Sequence, residues 1–97
     1  TEKVESLKVR NVRTDEEKTI AVDGVFIAVG ILPNTEKFKG LVALDESGYI
    51  VAGEDCVTST PGIFAAGDIR TKQLRQVVTA VADGANAVIS AEKYCDV

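Results

Sequence analysis

Two short passages hold the residues that could do chemistry: Gly67-Asp68, which closes the apolar run Gly62-Ile63-Phe64-Ala65-Ala66, and Leu74-Arg75-Gln76-Val77, which opens a long helical pattern. A buried strand delivers its last residues to the carboxyl edge of a sheet, where the ligands of open α/β folds collect. Gly67 lets a ligand approach the backbone, and the Asp68 carboxylate is purely an acceptor at neutral pH, suited to hydroxyl donors. The start of a helix presents unpaired N–H groups and the positive end of its dipole, which stabilise an electron-rich oxygen. The chemistry these types imply is the binding of a polyol-bearing ligand rather than bond making. Taken alone, Gly-Asp also suits a turn after a strand, and Arg75 a solvated helix start.

The elements that must position these residues can be read along the chain. Val4, Leu7, Val9 and Val12 intersperse with polar residues, and Asp15-Glu16-Glu17 forms a polar turn before Thr19-Ile20-Ala21-Val22, so a β-hairpin is expected. Asp23-Gly24 turns the chain into Val25-Phe26-Ile27-Ala28-Val29, a continuous apolar run of the kind that fills a buried central strand, and Gly30 stops it. From Ile31 to Gly40 the pattern breaks, with Pro33 holding Leu32 extended and Pro33-Asn34 favouring a turn; a domain boundary is placed here. Leu41 to Leu44 and Tyr49 to Ala52, joined by Asp45-Glu46-Ser47-Gly48, read as a second hairpin. After Pro61-Gly62, Ile63 to Ala66 reads as a central strand. A helix is expected from about Arg75 to Tyr94, with Val77, Ala80, Val81, Ala85, Ala87, Val88 and Ala91 as an apolar face for packing on a sheet, and Asp83 among its polar positions. Asp83-Gly84 receives no function. The fold class is α/β, or α+β for the isolated chain.

Composition narrows the function classes. The 97 residues make one modest domain of marginal stability. Eleven basic against 15 acidic residues give a net charge of −4, and the scattered basic residues argue against nucleic acid as a partner. No apolar run is long enough to cross a bilayer and the first residues lack a signal-peptide core, so a soluble, cytoplasmic protein is expected. Cys56 and Cys95 are far apart, and the chain has no histidine, which argues against zinc and against a Cys/His nucleophile. They read as reduced structural or surface thiols, with no catalytic residue and no metal ligand expected in the chain.

The chain resembles the C-terminal end of the bacterial thioredoxin reductases, the low-molecular-weight flavoprotein disulfide reductases. The matching residues are Gly24 to Gly30, Leu32-Pro33-Asn34-Thr35, Gly48-Tyr49-Ile50, Thr58-Ser59-Thr60-Pro61-Gly62-Ile63-Phe64-Ala65-Ala66-Gly67-Asp68 and Leu74-Arg75-Gln76-Val77, in the family's order and over nearly the whole chain. The resemblance implies a Rossmann-like FAD/NAD(P)-binding fold, with residues 1–29 the C-terminal hairpin and strand of the NAD(P)-binding domain and residues 30–97 the closing segment of the FAD-binding domain. It implies FAD contacts from Gly67, Asp68 and Ile69 and from Arg75, Gln76 and Val77, with Asp68 accepting from a ribityl hydroxyl and the amide near Val77 facing the pyrimidine carbonyl. It further implies that NADPH reduces FAD and that an active-site disulfide then reduces a thioredoxin-like protein. Gly30 and Pro33-Asn34 are a hinge by the same resemblance, or simply a loop.

No Gly-x-Gly-x-x-Gly fingerprint and no Cys-x-x-Cys pair occurs, so the chain looks like a piece of such an enzyme. Alone it is expected to lack disulfide reductase activity and to bind FAD weakly or not at all. The flavoprotein component of an alkyl hydroperoxide reductase and a ferredoxin–NADP reductase on the same scaffold share the Gly-Asp strand and are alternatives. A further alternative is a non-enzymatic self-associating module. With two central strands lacking neighbours, a homodimer formed by strand exchange or edge pairing is expected.

Overall fold

The computed structural model describes residues 2–96 and divides into two compact units, Thr1–Gly30 and Ile31–Val97. The first is built on a hairpin of β1 (Ser6–Arg10) and β2 (Glu17–Ala21), antiparallel with Ser6 opposite Ala21 and Arg10 opposite Glu17. Its turn is made by side chains. Asn11 Oδ1 accepts from the amides of Arg13 and Thr14 at 2.9 and 3.2 Å, and the Asn11 amide closes onto the Glu16 carbonyl at 2.9 Å. Asp15 takes the left-handed conformation, φ 60°, that a short polar side chain tolerates. Val25–Val29 is not the buried central strand its composition suggests: it pairs with no strand among the described residues, and Phe26 is 100% and Val29 91% exposed. An apolar run becomes a strand only where neighbouring N–H and C=O groups complete its ladder, and among the described residues the only sheet is the β1–β2 pair, to which this run is not hydrogen-bonded.

In the second unit Ile50 is the pivot. It pairs with Leu44 on one side, antiparallel, and with Arg70 on the other, parallel, through Ile50 N–H to Ile69 O at 2.9 Å and Thr71 N–H to Ile50 O at 2.8 Å. Val42, Ile50, Ala52 and Ala65 form the core, with Leu44, Ile63 and Ile69 packed against it. The expected second hairpin is reduced to this single Leu44–Ile50 pair. Asp45 Oδ1 makes the turn by accepting from Ser47 and Tyr49, but the Ala43 amide goes to Ser59 Oγ at 2.8 Å, which ends the ladder. The expected strand Ile63–Ala66 is likewise an extended segment with one bridging pair, Val57–Phe64. Cys56, at φ 61°, kinks the opposing chain after it has accepted the Ala65 amide.

Helix α1 runs Val77–Cys95, beginning two residues later than its sequence pattern suggests. Gln76 is extended because its amide donates to Thr79 Oγ1 at 3.0 Å, which makes it the cap. The face turned to the body of the unit carries Ala80, Asp83, Gly84, Ala87 and Ala91, of which only Asp83 is fully buried. Val77, Val81 and Val88, expected to pack on a sheet, are exposed. The helix is anchored near its far end by Tyr94, edge-on to Phe64 with centroids 6.2 Å apart. Among the described residues no helix is long and apolar enough to cross a membrane.

Candidate functional site

The extended segment that ends at Ala66 passes into a single 3-10 turn, Gly67–Ile69, and then into Arg70, which pairs with Ile50. The turn starts with Gly67 at φ 83°, a conformation that side chains with a Cβ rarely adopt. A Cβ at Gly67 would sit 3.6 Å from Ala80 Cβ, an ordinary contact, so it is the backbone angle rather than crowding that calls for glycine here. Gly67 is buried, with its amide directed inward to Asp83 Oδ2 at 2.8 Å, while the next residue, Asp68, is exposed.

Arg75 ties this turn to the start of α1. Its Nε donates to Asp68 O at 3.0 Å and its Nη2 to Arg70 O at 3.1 Å, while its guanidinium lies 3.7 Å over the Tyr49 ring. A planar donor fork stacked on an aromatic face is a rigid clamp. The first i to i−4 bond of the helix is Ala80 N–H to Gln76 O at 3.0 Å, so the amides of Val77 and Val78 precede the helical ladder and point out of its N-terminus.

These residues border two open depressions. One, of about 560 Å³, is lined by Asp68, Arg75, Gln76, Val77, Ala80 and Val81. The other, of about 290 Å³, shares Asp68 and Arg75 with the first and is otherwise bounded by Ile31, Pro33, Asn34, Tyr49 and Ile69. Of the six residues that the sequence singles out, Asp68, Arg75, Gln76 and Val77 line the first, Asp68, Ile69 and Arg75 line the second, and Gly67 is the buried first residue of the turn. Together they offer an exposed acceptor, helix N–H donors and an apolar floor.

Below the turn lies a charged cluster that the sequence reading passes over. Asp83 and Arg70 are each only 3% exposed. Arg70 grips Asp83 with two parallel bonds, Nε to Oδ2 at 2.7 Å and Nη2 to Oδ1 at 2.8 Å, and Lys72 Nζ reaches Oδ2 at 2.7 Å. The third guanidinium nitrogen of Arg70, Nη1, donates to Ala52 O at 3.3 Å and Thr71 O at 2.8 Å. The hydrogen bonds from Arg70 hold the Asp83 carboxyl well below the usual carboxylate range, aided by Lys72 and the Gly67 amide against the opposing effect of burial. The signal was present in the helical spacing: Asp83 shares its stripe with Ala80, Gly84 and Ala87, and a carboxylate on a packed face requires a buried cation. Cys56 is enclosed beside this cluster, its thiol donating to Asp83 O at 3.4 Å; burial first, and then the Asp83 charge, push that thiol up. Cys95 is exposed, and both cysteines are free thiols.

Residues 1–84 match the family model described as pyridine nucleotide-disulphide oxidoreductase. The chain is 50% identical over 94 residues to a thioredoxin reductase of Listeria innocua, covering 97% of this chain and 30% of that protein. It is 43% identical over 90 residues to an alkyl hydroperoxide reductase component of Pseudomonas putida, covering 93% of this chain and 17% of that protein. The crystal structure of a thioredoxin reductase from Streptococcus pyogenes superposes with a TM-score of 0.78 at 44% identity, over 97% of this chain and 31% of that one. The α/β class expected from the sequence is that of this structural relative, and the chain spans about a third of its length.

Proposed function

The chain belongs to the pyridine nucleotide-disulphide oxidoreductase family, and on that premise we propose that its Gly67–Ile69 turn and the N-terminus of α1 form one wall of the FAD site of a thioredoxin reductase-type flavoprotein. The observation that carries this reading is the convergence of the exposed Asp68 carboxylate and the first turn of α1 on one open depression. The donor and acceptor set fits FAD. Asp68 would accept from a ribityl hydroxyl, the amides at Val77 and Val78 would meet an electron-rich ring oxygen, and Val77, Ala80 and Val81 would supply an apolar surface that keeps water from the ring. FAD, when bound, supplies the two-electron chemistry; the residues of this chain bind and orient it.

In this reading residues 1–29 belong to the NAD(P)-binding domain and residues 30–97 to the FAD-binding domain. Gly30, at φ 116°, is the hinge between them. NADPH is the electron donor of the whole protein and a thioredoxin-like disulfide protein its acceptor, and the protein is a cytoplasmic homodimer. The similarity to the alkyl hydroperoxide reductase component supports a second reading in which the same wall serves a peroxide-reducing system. The acceptor separates the two. The full-length protein that carries this segment is expected to purify yellow, to bleach with NADPH under anaerobic conditions, and to regain its colour on adding thioredoxin disulfide. Recovery only with a peroxidase disulfide supports the second reading, and a colourless protein that takes up no FAD rejects both.

A further inference from the structure

The buried cluster beneath the turn has no counterpart in the binding roles assigned above. Burying a carboxylate between an arginine and a lysine is no efficient source of stability, since a packed apolar substitute often does as well or better. The cluster does, however, fix geometry. Asp83 gives Oδ2 to the Gly67 amide at 2.8 Å, and the same carboxylate is locked in place by the Arg70 fork and by Lys72. Gly67 is the residue before Asp68, and its φ of 83° sets the course of the backbone from the anchored amide into Asp68. On the other side of Asp68, Arg75 holds the Asp68 and Arg70 carbonyls. The backbone of Asp68 is thus held from both flanks, by one hydrogen bond on the Gly67 side and two from Arg75 on the other, and its side chain is left exposed to the depression.

We propose that Asp83 is a positioning residue for the flavin site: through the Gly67 amide and Arg70 it sets the direction in which Asp68 presents its carboxylate to the ligand's hydroxyls. This rests on the reading of Asp68 as a ribityl acceptor. Asp83 itself touches no ligand. Its effect on binding is therefore exerted through Asp68 and disappears when the Asp68 carboxylate is absent, a dependence that loosened packing alone does not produce.

A double-mutant cycle in the full-length flavoprotein, read as the FAD dissociation constant, tests this. Asp83→Asn keeps the shape and one acceptor oxygen while removing the charge. It is expected to weaken FAD by about tenfold in the wild-type background and by less than about twofold in the Asp68→Ala background. Equal losses in the two backgrounds, or no loss in the first, overturn the proposal while leaving the flavin wall intact. FAD affinity unchanged by Asp68→Ala alone overturns the flavin-wall reading, and this proposal with it. Should Asp83→Asn not fold, Arg70→Lys takes its place in the cycle with the same expectations, since it keeps the positive charge and loses the two-pronged grip.

Discussion

The two units of this chain bury their residues very differently. Ile31–Val97 encloses an apolar core of Val42, Ile50, Ala52 and Ala65 and places a paired, hydrogen-bonded charge cluster at the base of its helix. Among the described residues of Thr1–Gly30 none is buried, and an apolar run from Val25 to Val29 stands exposed beside a two-stranded hairpin. An isolated hairpin is marginal in water, so the first unit draws its order from turn chemistry and cross-strand bonds, whereas the second draws it from packing, with the Arg70–Asp83 grip fixing geometry within it. The lesson is that apolar content does not predict burial. The most apolar stretch of the chain is exposed, and one of the most buried side chains is an aspartate.

The sharpest way to break this contrast is to remove the aspartate. Asp83→Ala leaves Arg70 and Lys72 buried without their counter-ion, and denaturant unfolding of the full-length protein should show a loss of about 3–5 kcal/mol. A loss under about 1 kcal/mol, the range of an exposed pair, would show that the cluster does not hold the unit together. Acid offers a gentler probe. The folded state holds the Asp83 carboxyl well below its usual range, so the unfolded chain binds that proton more readily. The contribution is complete above the unfolded value of about 4 and is lost as pH falls from there toward the lowered folded value. Stability should drop on acidification below about pH 4 in the wild type and drop less in Asp83→Asn. A parallel decline in both would assign the acid sensitivity to other carboxylates.

Smaller effects sharpen the same comparison. Tyr94→Ala removes the edge-on contact with Phe64 at the far end of α1 and should cost about 0.5–1.5 kcal/mol from the ring pair in addition to the lost burial. In the first unit, Lys8 and Glu17 pair across the hairpin at 2.7 Å with both side chains more than half exposed. Lys8→Ala should change stability by less than about 1 kcal/mol, and a larger change would show that the hairpin is held by its charges after all.

Much of this arrangement is legible in the sequence. The alternation of Leu7 and Val9 with polar residues marks the first hairpin, although Val4 lies outside β1, Val12 falls in the turn, and Glu17, read as part of the turn, opens β2. The small-residue periodicity marks α1, and Gly67-Asp68 marks the turn beside it. The remainder is not legible because it depends on what lies across from each residue. An apolar run such as Val25–Val29 announces that it can be buried without naming what covers it. The left-handed angle at Cys56 follows from the chain path, and no glycine marks it. Nor does local pattern reveal that the Ala43 amide prefers Ser59 over a ladder partner. Asp83 falls between these cases. Its place on the packed stripe of α1 can be read, but its partners, Arg70 and Lys72, meet it only once the turn has folded beneath the helix.

If the Gly67–Ile69 turn presents Asp68 to a flavin, FAD affinity in the full-length protein separates Asp68→Ala from Glu46→Ala, an exposed carboxylate on the Asp45–Gly48 turn that lines neither depression. Loss of a hydrogen bond to a charged acceptor should weaken FAD by about 1.5–3 kcal/mol in Asp68→Ala and leave Glu46→Ala at wild-type affinity. Equal FAD affinity in the two variants would contradict the claim and return Asp68 to the role of a turn residue after an extended segment.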